Sequence, residues 1–200
     1  DYMGSDLSVV NAARVSFAKY HAEFDEKNDT QLINYLAKHN HWSPFGHASM
    51  QFHIKAPMFV ARQLVKHQVG LVWNEVSRRY VDDEPEFYTP TEWRCAAENK
   101  KQGSSDETIE YSVLPAYTFA KQYYENMLDK GVAPEMARMV LPQAMMTEWY
   151  WSGTLYAFAR VCNLRCKSDA QKETQDVGWK IDEIAKKLFP VSWRAIRIYE

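Results

Sequence analysis

The densest grouping of residues able to do chemistry runs Arg62-Gln63-Leu64-Val65-Lys66-His67-Gln68, then Asn74-Glu75-Val76-Ser77-Arg78-Arg79-Tyr80. Guanidinium groups offer forked donors and an ammonium a compact point charge, so Lys66, Arg78 and Arg79 suit phosphate oxygens. Asn74 and Glu75 add acceptors for ribose hydroxyls or base edges. A helix over Phe59 to Gln68 would place Arg62 and Lys66 on one face and Gln63 and His67 on its neighbour, because side chains four apart project together. Such a helix and the segment behind it could gather Lys66, His67, Arg78 and Arg79 around one pocket. The same pattern also describes a solvated basic helix face, which composition alone favours.

Other chemistries compete for these residues. Ser77 beside a base would suit acyl transfer, but no G-x-S-x-G elbow exists and its arginine neighbours favour an anion. An orienting hydrogen bond is the better reading. His39, His41, His47 and His53 crowd into one short stretch, which raises a metal-dependent hydrolase. No H-E-x-x-H occurs and the cluster holds no carboxylate, so no metal is expected. Trp42, Trp73, Trp149 and Trp151 could be stacking platforms of a nucleobase-binding module. A net charge of −2 and the lack of a basic stripe speak against nucleic acid as a partner.

The elements that must carry these residues can be read from periodicity and punctuation. Leu7 to Ala18 and Thr30 to Asn40 have helical spacing, the second capped by Asp29 or Thr30. Ser49 to Ala56 alternates as a strand, and Val69 to Trp73 reads as a loop around Gly70. Glu84 to Arg94 is a proline-punctuated loop, and Lys100 to Ser105 is polar and exposed. A helix is expected from Glu107 to Lys130 with Gly131 at C′, and another from Pro134 to about Leu141-Pro142. Met145 to Trp151 is strand-like and Thr154 to Cys166 helical. Ser168 would cap a last helix reaching Phe189-Pro190. The sum is α+β: one helix-rich domain over 1–200 with a small antiparallel sheet.

Two hundred residues, 46% of them hydrophobic and 25% charged, suit one ordinary globular domain. Aromatic content of 14% points to large buried contacts, with subunit interfaces among the candidates. Cys95, Cys162 and Cys166 make no CxxC and no even set, so they read as reduced thiols. Cys162 and Cys166, four apart on a helix face, read as core packing. No apolar run approaches a membrane span and no signal peptide is recognisable, so a cytoplasmic protein is expected. Asp1 rather than Met leads straight into an ordered-looking segment, which suggests that native residues precede it.

The Asn74-to-Tyr80 stretch resembles the signature of flavin-dependent thymidylate synthases, an Arg-His-Arg triplet followed by Asn-Glu-x-Ser-x-Arg-Tyr. Asn74-Glu75-Val76-Ser77-Arg78-Arg79-Tyr80 is kept in full, with His67 at the triplet's centre. Ala12-Ala13-Arg14-Val15-Ser16, Ser43-Pro44-Phe45-Gly46-His47-Ala48-Ser49, Ala137-Arg138-Met139-Val140-Leu141-Pro142, and Leu164-Arg165 with Ala170-Gln171 resemble further family motifs in the right order. The departures are specific. The triplet is Lys66-His67-Gln68, eight residues instead of seven separate Gln68 from Ser77, and the late-helix positions hold Thr154, Tyr156 and Arg160.

The resemblance implies an α+β fold and reductive methylation of dUMP to dTMP, with FAD as cofactor and 5,10-methylenetetrahydrofolate and NADPH as co-substrates. It implies a homotetramer with shared active sites. By position, Gln63, Lys66, Glu75, Ser77, Arg78, Arg79 and Arg138 would hold dUMP. Arg165 would sit at the uracil edge and, with Ser77 as orienting hydrogen bonder, form the catalytic set. Ser49, Lys66, His67, Gln68, Glu75, Thr154 and Arg160 would line the FAD site with His47 nearby. The departures fall mostly on flavin contacts, so a weakened or flavin-free relative is the alternative within the same fold.

Overall fold

The computed structural model describes residues 1–81, 83–98 and 103–199. Along the chain run β1 (Tyr2–Met3), α1 (Asp6–Arg14), α2 (Asn28–Lys38), β2 (Ser49–Pro57), α3 (Met58–Leu64), β3 (Leu71–Glu75) and β4 (Trp93–Arg94). There follow β5 (Thr108–Ile109), α4 (Leu114–Asp129), α5 (Pro134–Ala137), β6 (Met146–Thr154), α6 (Leu155–Arg165), α7 (Lys172–Leu188) and α8 (Pro190–Ile196). The fold is α+β, with a small antiparallel sheet in the order β1-β2-β6-β3. Tyr2 faces Met50 and Met3 faces Ser49 across its β1–β2 edge.

The chain forms two compact units, Asp1–Phe52 with His67–Val72 and Trp151–Glu200, and His53–Lys66 with Trp73–Tyr150. The first is helical around Phe45, Leu155, Phe158, Phe189 and Trp193, all fully buried. Phe158 is the hub, edge-on to Phe52 at 5.0 Å and to Trp151 at 5.3 Å. α6 is apolar on most of its surface, so it is enclosed rather than amphipathic. Thr154 starts it by accepting the Ala157 N–H at 3.1 Å. Buried Asp6 caps α8, taking the Val191 and Ser192 N–H groups at 2.9 and 2.8 Å. The second unit centres on Trp149, Tyr124, Val60 and Leu64, with Trp73 stacked on Trp149 at 4.4 Å.

Several boundaries differ from expectation, each for a local reason. α3 stops at Leu64 with Val65 as its C-cap, because the chain must turn to enter β3 at Leu71. Lys66 and His67 therefore lie in a turn, and the four-residue spacing does not put them on a helix face. Residues 71–73 are strand and not loop. Gly70, at φ +76, makes the turn, and its carbonyl accepts the Thr154 N–H at 3.2 Å. A Cβ on Gly153 would stand 2.5 Å from that carbonyl, so only glycine permits the approach.

α4 starts at Leu114 and not at Glu107, because Thr108–Ile109 pairs with Trp93–Arg94 as a strand. Gly131 does end it at φ +79, donating to the Leu128 carbonyl at 2.8 Å. α5 gives way to a 3₁₀ turn at Arg138–Val140. α2 begins at Asn28, and Asp29 is no cap. Its buried carboxylate binds Arg14 at 2.8 Å and the Asp25 N–H at 2.9 Å. α7 begins after Gln171 and not Ser168, and α8 is a separate helix that the proline at 190 opens. Lys100 to Gln102 lie outside the described residues; Ser104 and Ser105 are half-buried, Ser104 accepting from Arg94 at 2.8 Å.

Candidate active site

The second unit holds a cavity of about 880 Å³. Ser77, Arg78 and Arg79 reach it from the chain after β3, and Arg138 from the 3₁₀ turn after α5. Lys66 and His67 are not among its lining residues, so the four-cation pocket expected from the sequence is instead one of three arginines. Acidic groups also line it, and three of them have a basic partner. Lys55 binds Glu86 at 2.5 Å, Lys121 binds Glu84, and His53 lies 3.0 Å from Glu148. Among the described residues, none of the three arginines has a carboxylate partner. Arg78 donates to the carbonyls of Asp83 and Glu84, which fixes it to the cavity wall. Arg79 Nε donates to Ser77 Oγ at 3.0 Å and its guanidinium covers the Tyr80 ring at 4.9 Å. Arg138 Nε donates to the Glu135 carbonyl at 3.2 Å. Arg79 and Arg138 keep terminal N–H groups for an anion.

Glu75 shares this cavity with a fixed carboxylate. Thr147 Oγ1 donates to one oxygen at 2.8 Å and Trp73 Nε1 to the other at 3.0 Å. Sequence reading missed Thr147 and took Trp73 for part of a loop or a stacking platform. A signal existed: Thr147, Trp149 and Trp151 are buried at alternate positions of β6, and a hydroxyl in a buried row needs a partner. Gln63 remains on α3 in this unit, half-buried, while Lys66 is exposed.

The first unit carries Arg165, at the last position of α6, together with His67. Arg165 Nε donates to His67 Nε2 at 2.9 Å. An Nε2 that accepts carries no proton, so the neutral ring holds its hydrogen on Nδ1. Burial, then the positive charges of Arg165 and Arg160, push His67 down to about 4. Burial also lowers Arg165. No carboxylate pairs with Arg165 among the described residues. Its remaining donors are held in place by a neutral ring, and no carboxylate among the described residues compensates their charge. Arg160, Gln68 and His47 are exposed in the same unit, Ser49 is half-buried, and the Thr154 hydroxyl serves α6 as its cap.

The histidine stretch does not converge. His39 and His41 cluster with Tyr35, and His53 stacks on Tyr150 at 4.8 Å in the other unit. Among the described residues, no group of three His, Cys, Asp or Glu side chains could hold a metal ion. The hydrolase reading thus loses its constellation. No helix of the described residues is long and apolar enough to cross a membrane.

The α+β fold thus carries two arginine settings, an open one in the cavity of the second unit and a half-buried one on a neutral imidazole in the first. The comparisons give the family. Residues 1–191 match the thymidylate synthase complementing protein family. The flavin-dependent thymidylate synthase of Thermus thermophilus is 40% identical over 199 residues, 98% of this chain and 73% of that one. The enzyme of the same name from Kosmotoga olearia is 40% identical over 98% of this chain and 86% of its own. The UMP/dUMP methylase PolB from Streptomyces cacaoi, bound with 5-Br dUMP, superposes with a TM-score of 0.87 at 32% identity, covering 98% and 91% of the two chains. This chain belongs to the flavin-dependent thymidylate synthase family.

Proposed function

We propose that this protein converts dUMP to dTMP, drawing the carbon from 5,10-methylenetetrahydrofolate and the electrons from NADPH through FAD. The carrying observation is the cavity in which Glu86 and Glu84 are paired with Lys55 and Lys121 while, among the described residues, Arg79 and Arg138 keep open donors. A nucleotide monophosphate, the ligand type in the name of the PolB relative, supplies the missing anion. Arg79 and Arg138 would take the phosphate or pyrimidine carbonyls, with Arg78 shaping the wall and Ser77 aligning Arg79. Gln63 and Lys66 complete the substrate set. Glu75, with both oxygens committed to Thr147 and Trp73, would receive a ligand donor without having to rotate.

Arg165 carries the chemical step. A cation against the uracil edge favours the N3-deprotonated ring and makes C5 more nucleophilic. Uncharged His67 orients the guanidinium without adding a second positive charge or cancelling the first. For FAD, the first unit offers a fitting donor set: the Nδ1–H of His67, the exposed guanidinium of Arg160, Gln68, and Ser49 with His47 nearby. Thr154 would join through what its capping hydroxyl leaves free, and Lys66 and Glu75 belong to this set by position. When bound, the flavin relays reducing equivalents and the one-carbon unit. Active sites shared among the subunits of a homotetramer, working in the cytoplasm, complete the reading.

The test is dTMP formation from dUMP with FAD, methylenetetrahydrofolate and NADPH. Product should appear only with all four. Flavin binding without turnover would leave an inactive relative, and no flavin uptake at tens of micromolar, an affinity near ~6 kcal/mol, would mark a flavin-free one. Specific activity that does not fall on dilution, with a monomer by light scattering, would overturn the shared-site tetramer.

A further inference from the structure

A second cavity, about 320 Å³, opens in the first unit behind the end of α6. The reaction proposed above uses nothing in it. Cys162, Cys166, Gln175, Trp179, Arg197 and Tyr199 are among its walls. Both sulfurs lie against one glycine of α7. Cys162 Sγ is 3.5 Å from the Gly178 carbonyl oxygen, and a Cβ built on Gly178 would stand 2.9 Å from Cys166 Sγ. Gly178 is thus the residue that lets two thiols meet beneath the helix. Cys162 is fully buried, whereas Cys166, the C-cap of α6, is half-buried and faces the cavity.

Arg197 closes the cluster. Its guanidinium lies between Tyr199 at 4.8 Å and Trp179 at 5.6 Å, with Nε on Asp182 at 2.5 Å and Nη1 on Asn163 at 2.8 Å. This cation is anchored, nearly buried, and points a further edge at the thiols. The two sulfurs accordingly differ. Hydrogen bonding from Cys162, with help from Arg197 against the opposing charge of Asp182, lowers Cys166 below the ordinary thiol range. Burial pushes Cys162 up and keeps it protonated. An activated thiol beside a protonated one is the arrangement of an attacking and a resolving cysteine.

We infer that Cys166 and Cys162 form a peroxide-reactive dithiol, which a hydroperoxide converts to a reversible disulfide next to Arg165. The Cys166 thiolate attacks one peroxide oxygen; the S–O bond forms, the O–O bond breaks, and the departing hydroxide takes a proton to become water. The Cys162 sulfur then displaces hydroxide from the Cys166 sulfenic acid, and the thiol proton leaves with it as a second water. The dithiol loses two electrons and the peroxide gains them. Cα atoms four apart on a helix stand about 6 Å apart, inside the disulfide window of ~4.4–6.8 Å. Their Cβ atoms, ~5–6 Å apart, must close to ~3.8 Å. The movement falls on the last turn, which holds Arg165 between the two cysteines.

Reduced whole protein is treated with hydrogen peroxide, alkylated with N-ethylmaleimide and cut with trypsin. Cleavage after Arg160, Arg165 and Lys167 puts Cys162 and Cys166 on separate peptides, so a disulfide shows as their linked mass, released by dithiothreitol. Cys162→Ser should instead leave a sulfenic acid on Cys166 that dimedone traps. Cys166→Ser should slow oxidation of Cys162 at least ~10-fold, because the buried thiol is poorly nucleophilic. Peroxide that modifies Cys95 while leaving 162 and 166 open to alkylation would overturn the inference, as would Cys162 oxidising at the wild-type rate in Cys166→Ser. dTMP formation should fall on oxidation and recover with dithiothreitol; a disulfide with unaltered turnover would break its link to Arg165.

Discussion

Arg79 and Arg165 use the same side chain in opposite surroundings. Arg79 is exposed in the second unit, aligned by a serine hydroxyl and a tyrosine ring, and shares its cavity with acids of which Glu84 and Glu86 are paired with lysines. Arg165 is half-buried in the first unit and fixed by a single bond to a neutral imidazole. A charge in water is screened and gives modest affinity. A preorganised charge out of water acts on the transition state with little reorganisation. The first setting suits holding a ligand and the second suits changing its reactivity. Composition, which counts both as arginine, does not distinguish them.

The sharpest way to break this contrast is at Arg165. Arg165→Ala should fold, keep FAD and lose at least ~10²-fold in kcat at saturating dUMP, by analogy with removing one preorganised donor. Arg165→Lys should lose most of the same activity, since an ammonium lacks the planar fork. Near-wild-type turnover of Arg165→Ala would remove the residue from the mechanism. The flavin side comes next. Restoring guanidinium groups with Lys66→Arg and Gln68→Arg should tighten FAD, because charge-assisted contacts contribute ~1.5–3 kcal/mol each. Fluorescence quenching measures this, and an unchanged or weaker affinity would show that the turn at Gly70 has rebuilt the contacts.

At Arg79 a smaller effect of a different kind is expected. Arg79→Ala should raise the KM for dUMP by roughly fivefold, near 1 kcal/mol for an exposed contact, with kcat little changed. That penalty should shrink as salt is added. A kcat loss as large as that of Arg165→Ala would erase the distinction between the two settings. The smallest effect concerns His67. Its folded value of about 4 lies below the ordinary 6.5, so between those values the unfolded chain binds more protons. Stability is complete above pH 6.5 and declines towards pH 4, by on the order of 1 kcal/mol for a half-solvated ring. Denaturant titrations at the two pH values compare wild type with His67→Gln, and imidazole NMR follows the ring. A ring titrating near 6.5 would mean that Arg165 does not hold it neutral.

The sequence was most legible where one force decides. β2 alternates polar and apolar residues, β6 carries a run of aromatics, and α6 has its cap and its apolar surface in plain view, so both strands and the helix begin within a residue of their reading. It was least legible where tertiary pairing overrules local preference. Thr108–Ile109 pairs across to Trp93–Arg94 and takes about the first two turns from the expected long helix. Gly70 signals a loop, but it is the turn into a strand. At the site, the arginine-rich segment was visible as a cluster, and its relation to Arg138 came only from the resemblance to a family. That Lys66 and His67 do not line the cavity was not visible, because spacing along a helix predicts nothing once the helix ends early. Thr147 and Trp73, which fix Glu75, became apparent only when hydrogen-bond partners could be assigned.

Asp6 takes the amide hydrogens of Val191 and Ser192, 185 and 186 residues further along. The unit that contains this clasp is assembled from three separate stretches of chain, whereas the other draws on two separated by only six residues. Contacts between such distant segments must close long loops before they are rewarded, which slows folding. During synthesis α1 therefore emerges early, and its carboxylate meets these partners only after residue 192 has been made. Until then the Asp6 carboxylate lacks the two amides that hold it in the folded unit, and that interval leaves the nascent chain more open to aggregation or to a chaperone.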